Sequence, residues 1–158
     1  VHSSQEEMEL MRKNGVFVAH SPLSNSNLAS GVAPVGRYLD EGLRVALASD
    51  LAGGETENLF ASIAAAIRAS KLRWRLLDET VKPLSVDRAF WLATAGGGAF
   101  FGKVGRFEPG YELDAVVLDD ASLDHPQELP LRSRLDRALY LADDRQIAAK
   151  FVRGKRLF

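Results

Sequence analysis

The sequence contains no cysteine. Within these residues, this excludes disulfide scaffolds, metal sites built from thiolates and catalysis by a cysteine nucleophile. Proteins without cysteine are common in the reducing cytosol, and a cytoplasmic protein is therefore expected.

An excess of charge of one sign is also missing. Lys plus Arg number 20 and Asp plus Glu number 21, which gives a net charge of −1. Such a balance provides no attraction to nucleic acid or to an anionic membrane, and neither is expected as a partner. No run of about 18 apolar residues occurs, so no transmembrane helix is predicted. With 46% hydrophobic and 26% charged residues, the composition is typical of a folded soluble protein.

The chain is short for the architecture that its pattern suggests. It has 158 residues, whereas a complete (β/α)8 barrel needs about 250. It begins Val1-His2-Ser3-Ser4, with no basic stretch followed by an apolar one as in a signal peptide. This start favours a segment of a longer protein, and the alternative is a trimmed initiator methionine.

Helix and strand signals alternate through the first hundred residues. Two short apolar runs, 16–19 and 43–48, are flanked by turn residues and predict strands buried on both faces, as in a parallel sheet. The polar segment 21–31 is predicted to be a loop, and the Gly96-Gly97-Gly98 triplet a packing turn. A first helix is predicted to begin at a Ser3 or Ser4 cap. Three further helices are predicted over 34–40, 58–74 and 86–94. This order predicts an α/β fold with parallel strands.

The pattern changes after about residue 103. A turn-rich stretch precedes a predicted strand at 114–118, and a strand, a tight turn and a further strand are predicted over 147–157. The sequence therefore predicts antiparallel β structure after an α/β part.

Asp50 is the strongest candidate for a functional residue. It directly follows the second predicted strand and precedes Gly53 and Gly54. The carboxyl ends of parallel strands are where α/β barrels place catalytic groups, and a carboxylate there can bind a metal ion. Glycines next to it let the backbone approach a ligand. An Asp that only caps the following helix is an equally good interpretation of the pattern.

His20 follows the first predicted strand, so it is expected on the same rim as Asp50. A single histidine is more often a hydrogen-bonded structural residue than a metal ligand. Ser24 and Asn25 in the following segment either line a site or hold the loop through their own side-chain hydrogen bonds.

Three sequence segments together resemble the amidohydrolase superfamily, in its branch of cytosine deaminases, chlorohydrolases and guanine deaminases. They are His20-Ser-Pro-x-Ser-Asn, Asp50 after an apolar strand, and Gly105-x-Phe-x-Pro-Gly-x-x-x-Asp-Ala-Val-Val-Leu. The resemblance extends over nearly the whole chain. It implies that residues 1–103 are the C-terminal part of a (β/α)8 barrel, with strands seven and eight, and that 104–158 are part of a small β-sandwich.

Two details resemble the guanine deaminases within this branch. One is Ser49-Asp50-Leu51-Ala52-Gly53-Gly54, and the other is the tail from Leu139 to Arg145 followed by Val152-Arg153-Gly154-Lys155. The resemblance implies zinc-dependent hydrolytic deamination of a purine, with Asp50 as zinc ligand and proton shuttle. It places His20, Ser24, Asn25, Gly53 and Gly54 around the substrate without binding the metal.

The remaining zinc ligands of the family have no counterpart in the chain. The H-x-H pair, the later histidines and the catalytic Glu are missing, so this segment alone is expected neither to bind Zn²⁺ nor to be active. Two alternatives stay open: another deaminase or chlorohydrolase of the branch, and a non-catalytic assembly domain. A homodimer is also expected, since open edges of a parallel sheet favour self-association.

Overall fold

A computed structural model describes all residues from 1 to 158 and has a mixed α/β architecture. Two parallel strands, β1 (Phe17–His20) and β2 (Arg44–Leu47), pair with Phe17 opposite Arg44 and His20 opposite Leu47. Both predicted strands are confirmed; β1 is shifted by one residue from the apolar run 16–19, and β2 is shorter than the run 43–48. The helices are α1 (Gln5–Lys13), α2 (Pro22–Asn27), α3 (Val35–Asp40), α4 (Leu59–Leu76), α5 (Val86–Trp91), α6 (Gly97–Phe101) and α7 (Leu131–Leu141).

The predicted cap of α1 is confirmed at Ser4. Its hydroxyl accepts a hydrogen bond from the Glu7 amide, and the Glu7 carboxylate accepts one from the Ser4 amide. This capping box satisfies two amides that the first helical turn leaves without partners. Met8, on the inner side of α1, is buried in the core.

The prediction of a loop over 21–31 is wrong for its first part, which forms α2. Pro22 stands at the start of this helix, where a proline ring fits and no amide hydrogen bond is lost. The Ser26 hydroxyl donates to the Pro22 carbonyl, so a polar side chain is used within the helix. The composition predicted a loop because serine and asparagine are rare in helix interiors.

The glycine triplet is not a turn. The chain continues from α5 through a π-helical segment, Leu92–Gly96, directly into α6. A Cβ at Gly96 would lie 2.8 Å from the Trp91 ring, and one at Gly98 would lie 2.3 Å from the Val104 carbonyl oxygen. The glycines therefore allow close packing while the backbone stays helical.

The C-terminal part contains the predicted antiparallel sheet. Its strands β3 (Ala115–Leu118), β4 (Ile147–Val152) and β5 (Lys155–Arg156) follow each other in the order β3-β4-β5. Helix α7, which was not predicted, is inserted between β3 and β4. Its Leu139 is buried in the same hydrophobic cluster as Val45 of β2 and Ile63 of α4.

The core lies between the parallel strands and the helices α1, α3, α4, α5 and α7, and it contains 14 buried apolar residues. The two-stranded parallel sheet has no further strand on either side. None of the helices is both long enough and apolar enough to cross a membrane.

Candidate functional site

The candidate site lies where the two parallel strands end. Because β1 and β2 run in the same direction, His20 and Leu47 lie side by side, and the segments that follow them leave from one edge. The ladder extends one step further, since the Ala48 amide donates to the His20 carbonyl at 2.9 Å. The chain thus brings together the segment that begins at Ser21 and the segment that carries Asp50.

The segment 49–54 forms a tight turn around Asp50. The Asp50 carbonyl accepts hydrogen bonds from the amides of Gly53, at 2.9 Å, and Gly54, at 2.6 Å. Asp50 has a φ of 50° and Ala52 a φ of 89°, both in the left-handed region that L-residues rarely adopt. Such backbone conformations persist only where the surrounding structure holds them.

Ser24 and Asp50 meet at Gly53. A Cβ built at Gly53 would lie 2.7 Å from the Ser24 hydroxyl oxygen and 2.8 Å from Oδ2 of Asp50. A side chain at this position would therefore collide with both groups. Because Gly53 has no side chain, the buried Ser24 hydroxyl of α2 and the exposed Asp50 carboxylate can both lie next to it.

Gly54 is required for a second close approach. A Cβ at this residue would lie 2.3 Å from the Ser49 carbonyl oxygen, a distance that real Cβ atoms essentially never show. Gly53 and Gly54 are thus each required for a different reason. Gly53 makes room for side chains, and Gly54 allows the turn to close on its own backbone.

His20 is 4% exposed, and its Nδ1 has no hydrogen-bond partner within the chain. Burial lowers the pKa of His20 to about 4. The imidazole is therefore neutral at pH 7. A neutral ring can accept or donate a hydrogen bond at the strand end without adding a positive charge there.

The stability of the protein should fall between pH 6.5 and pH 4 because of His20. The unfolded chain binds a proton near pH 6.5, whereas the folded chain binds it only near pH 4. The contribution is complete above pH 6.5 and decreases by roughly 3 kcal/mol as the pH falls through this window. Urea unfolding of the full-length protein at pH 7 and pH 4.5 measures it. His20→Gln should weaken the pH dependence of the unfolding free energy, whereas His125→Gln should leave it unchanged. The same pH dependence in the wild-type protein and both variants would contradict this assignment.

The other predicted pocket residue, Asn25, lies half-buried in α2, and its carbonyl accepts from the Ser30 amide at 2.8 Å. Asn27, the last residue of α2, was not predicted to belong to the site. Its side-chain Nδ2 donates to the Gly53 carbonyl at 2.9 Å, across 26 residues of sequence. The only signal was a second asparagine in the polar segment after β1.

The donor set around Asp50 matches one ligand of a metal site and not a complete one. Zinc in proteins is usually held by three or four side chains. No group of three or more His, Cys, Asp or Glu side chains in the chain could hold a metal ion. Asp50 itself is exposed and belongs to none of the nine ion pairs, so its carboxylate is available to a ligand.

Comparison with known proteins finds relatives over the whole chain. Residues 1–157 match the amidohydrolase family. The guanine deaminase of Mus musculus is 32% identical over 167 residues, which are 98% of this chain and 36% of the mouse protein. The chain thus spans little more than a third of the length of this relative.

Two solved structures are similar in fold as well as in sequence. A guanine deaminase from C. acetobutylicum, with guanine bound in its active site, is 46% identical with a TM-score of 0.95, over 100% of this chain and 38% of that one. An adenosine deaminase from Xanthomonas campestris with bound zinc is 26% identical with a TM-score of 0.80, over 98% of this chain and 35% of that one. With its family match over nearly every residue and these likenesses, the chain belongs to the amidohydrolase family.

Proposed function

We propose that this chain is the C-terminal part of a zinc-dependent guanine deaminase, which hydrolyses guanine to xanthine and ammonia. The observation that carries the proposal is the likeness to the C. acetobutylicum guanine deaminase, with 46% identity and a TM-score of 0.95 over the entire chain. The sequence Ser49-Asp50-Leu51-Ala52-Gly53-Gly54, which led to the same family, forms the tight turn at the candidate site.

In this proposal, β1 and β2 are strands seven and eight of a (β/α)8 barrel, and residues 1–103 form its C-terminal part. Residues 104–158, with β3, β4 and β5, belong to a small β-sandwich. The proposal is supported by the parallel pairing of β1 with β2 and by the antiparallel pairing of the later strands.

Asp50 is proposed as a zinc ligand and as the group that moves protons during the reaction. In the full-length protein Asp50 would be one of the residues that hold zinc, and the metal would supply Lewis-acid activation of the water used in hydrolysis. The Asp50 carboxylate would take up a proton as water adds to the ring carbon bearing the amine, and would deliver it to the departing amine. Asp50 is exposed and forms no ion pair, which leaves its carboxylate available for this task.

The substrate is proposed to lie against the turn after Asp50 and the start of α2. Gly53 and Gly54 shape the turn beside the carboxylate, while Ser24 and Asn25 offer polar groups and His20 a neutral imidazole. None of these side chains carries a positive charge. The arrangement suits a neutral, planar purine held by hydrogen bonds and close contact.

The segment alone is proposed to have no activity, because Asp50 is its single candidate ligand. The full-length protein is proposed to be a cytoplasmic homodimer without nucleic-acid or membrane partners. The open edges of the β1–β2 sheet can pair with further strands. In the deaminase these strands belong to the rest of the barrel, and in a non-catalytic role they belong to a partner.

A second candidate function is deamination of another aminopurine. The likeness to an adenosine deaminase, at 26% identity and a TM-score of 0.80, favours this alternative over unrelated reactions. Both reactions would use Asp50 in the same way, so the substrate rather than the chemistry separates them.

The test is ammonia release by the purified, zinc-loaded full-length protein with guanine, adenine and adenosine as separate substrates. We expect turnover of guanine with a kcat/KM in the ordinary range of about 10⁴–10⁸ M⁻¹s⁻¹ and far lower values for the other two. Preference for adenosine would replace guanine by the second candidate. Absence of release from all three purines would refute the deaminase proposal.

A further inference from the structure

We propose that Asn27 is a positioning residue for Asp50, acting through the Gly53 carbonyl. The inference rests on the proposed function, since Asp50 is the group whose placement matters for the reaction. Asn27 itself is exposed and does not need to touch the substrate.

Asn27 forms the single side-chain hydrogen bond that reaches the backbone of residues 49–54. Its Nδ2 donates to the Gly53 carbonyl at 2.9 Å. The other hydrogen bonds of this segment run between its own backbone groups, from Gly53 and Gly54 to Asp50 and from Ala52 to Gly54. The segment is therefore closed on itself, and Asn27 connects it to α2.

Gly53 is the residue through which a shift would reach Asp50. Its amide donates to the Asp50 carbonyl, and a Cβ at this residue would collide with both the Ser24 hydroxyl and Oδ2 of Asp50. Holding the Gly53 carbonyl thus fixes the spacing between α2 and the carboxylate. Ser24 and Asn27 belong to the same helix, so one rigid element contacts the turn at two points.

The backbone of the turn needs such an external hold. Asp50 and Ala52 both have left-handed φ angles, which cost free energy for residues with a side chain. A turn with two such residues and an exposed surface can relax toward ordinary angles when a contact is lost. The Asn27 hydrogen bond opposes that relaxation, and in this way it keeps the Asp50 carboxylate in a defined direction.

The experiment compares Asn27→Ala with Asn14→Ala in the full-length protein. Asn14 is a matched control, because its Nδ2 also donates to a backbone carbonyl, that of Leu10 at 2.8 Å, in an equally exposed place at the end of α1. Amide hydrogen exchange followed by mass spectrometry reports on peptides that contain residues 49–54. Steady-state kinetics with guanine then separates kcat from KM.

We expect Asn27→Ala to speed exchange in the 49–54 peptides by about fivefold, the effect of one lost hydrogen bond, and to lower kcat by a similar factor with KM little changed. Asn14→Ala should alter neither. Unchanged exchange in Asn27→Ala overturns the inference, and so does faster exchange with an unchanged kcat. Hydrogen exchange needs no substrate and is therefore measured independently of activity. If the wild-type protein is inactive on guanine, the proposed function fails, and with it the role of Asn27 in that reaction.

Discussion

Replacing Asp50 by Ala in the full-length protein should abolish guanine deamination, with kcat falling by about 10²–10⁴-fold or more. The range of about 10²–10⁴-fold is the usual effect of losing a group that transfers protons in the transition state. Loss of a metal ligand would add to it, since the remaining side chains would hold zinc less tightly. Ammonia release and zinc content of the purified variant measure the two effects.

Asp50→Asn separates charge from shape at the same position. The amide has nearly the same size as the carboxylate, yet it cannot take up a proton at pH 7. We expect it to be nearly as inactive as the Ala variant. Asp40→Asn is the control, because Asp40 is an exposed carboxylate on α3 that pairs only with Arg88. Near-wild-type turnover of either Asp50 variant would disprove the role of this residue.

Gly54→Ala should cause the second largest loss, about 10²-fold in kcat per folded molecule. The new Cβ would lie 2.3 Å from the Ser49 carbonyl oxygen, so the turn has to open. A displacement of about 1 Å of a catalytic group is enough for a loss of this size. Kinetics at a temperature where the variant stays folded, with folding checked by circular dichroism, gives the value.

Gly98→Ala is the matched control for this substitution. A Cβ at Gly98 would also lie 2.3 Å from a backbone carbonyl oxygen, that of Val104, but at the contact between α6 and the following turn. Both variants should lose stability through overpacking, by about 1–3 kcal/mol. Only Gly54→Ala should lose activity per folded molecule. Equal losses of activity in Gly54→Ala and Gly98→Ala would mean that the turn around Asp50 does not specifically require glycine for activity.

The strands and the rim of the site could be predicted because short-range patterns determine them. Residues 16–19 and 43–48 are apolar runs too short for a helix and bounded by turn residues. Once both are strands of one parallel sheet, the groups at their carboxyl ends, His20 and Asp50, must share an edge. This prediction depends only on strand direction and not on detailed packing.

The contacts that shape the turn could not be predicted in this way. The bond from Asn27 to Gly53 joins residues far apart in sequence, and it exists only because 22–27 is a helix. The composition of that segment favoured a loop, and tertiary contacts decided otherwise. The left-handed backbone of Asp50 has no sequence signal either, since aspartate adopts ordinary angles far more often.

Helix α7 was missed for a different reason. Its apolar residues Leu131, Leu135, Ala138 and Leu139 follow helical spacing, but three arginines, a serine and an aspartate separate them. The Arg132–Asp136 ion pair, one turn apart, shows how those charges support the helix rather than break it. The helical spacing of these apolar residues is the sequence signal that indicates α7.

The position of α7 also has a consequence for the order in which the chain folds. The backbone leaves the antiparallel sheet after β3 and returns only at β4, and α7 between them packs on α4. The Arg68 guanidinium lies over the Tyr140 ring, and Asn58 Nδ2 donates to the Ala142 carbonyl. Docking of α7 shortens the open loop between β3 and β4 and so reduces the entropy that their pairing has to overcome. We therefore expect the C-terminal sheet to pair after α7 has docked on α4.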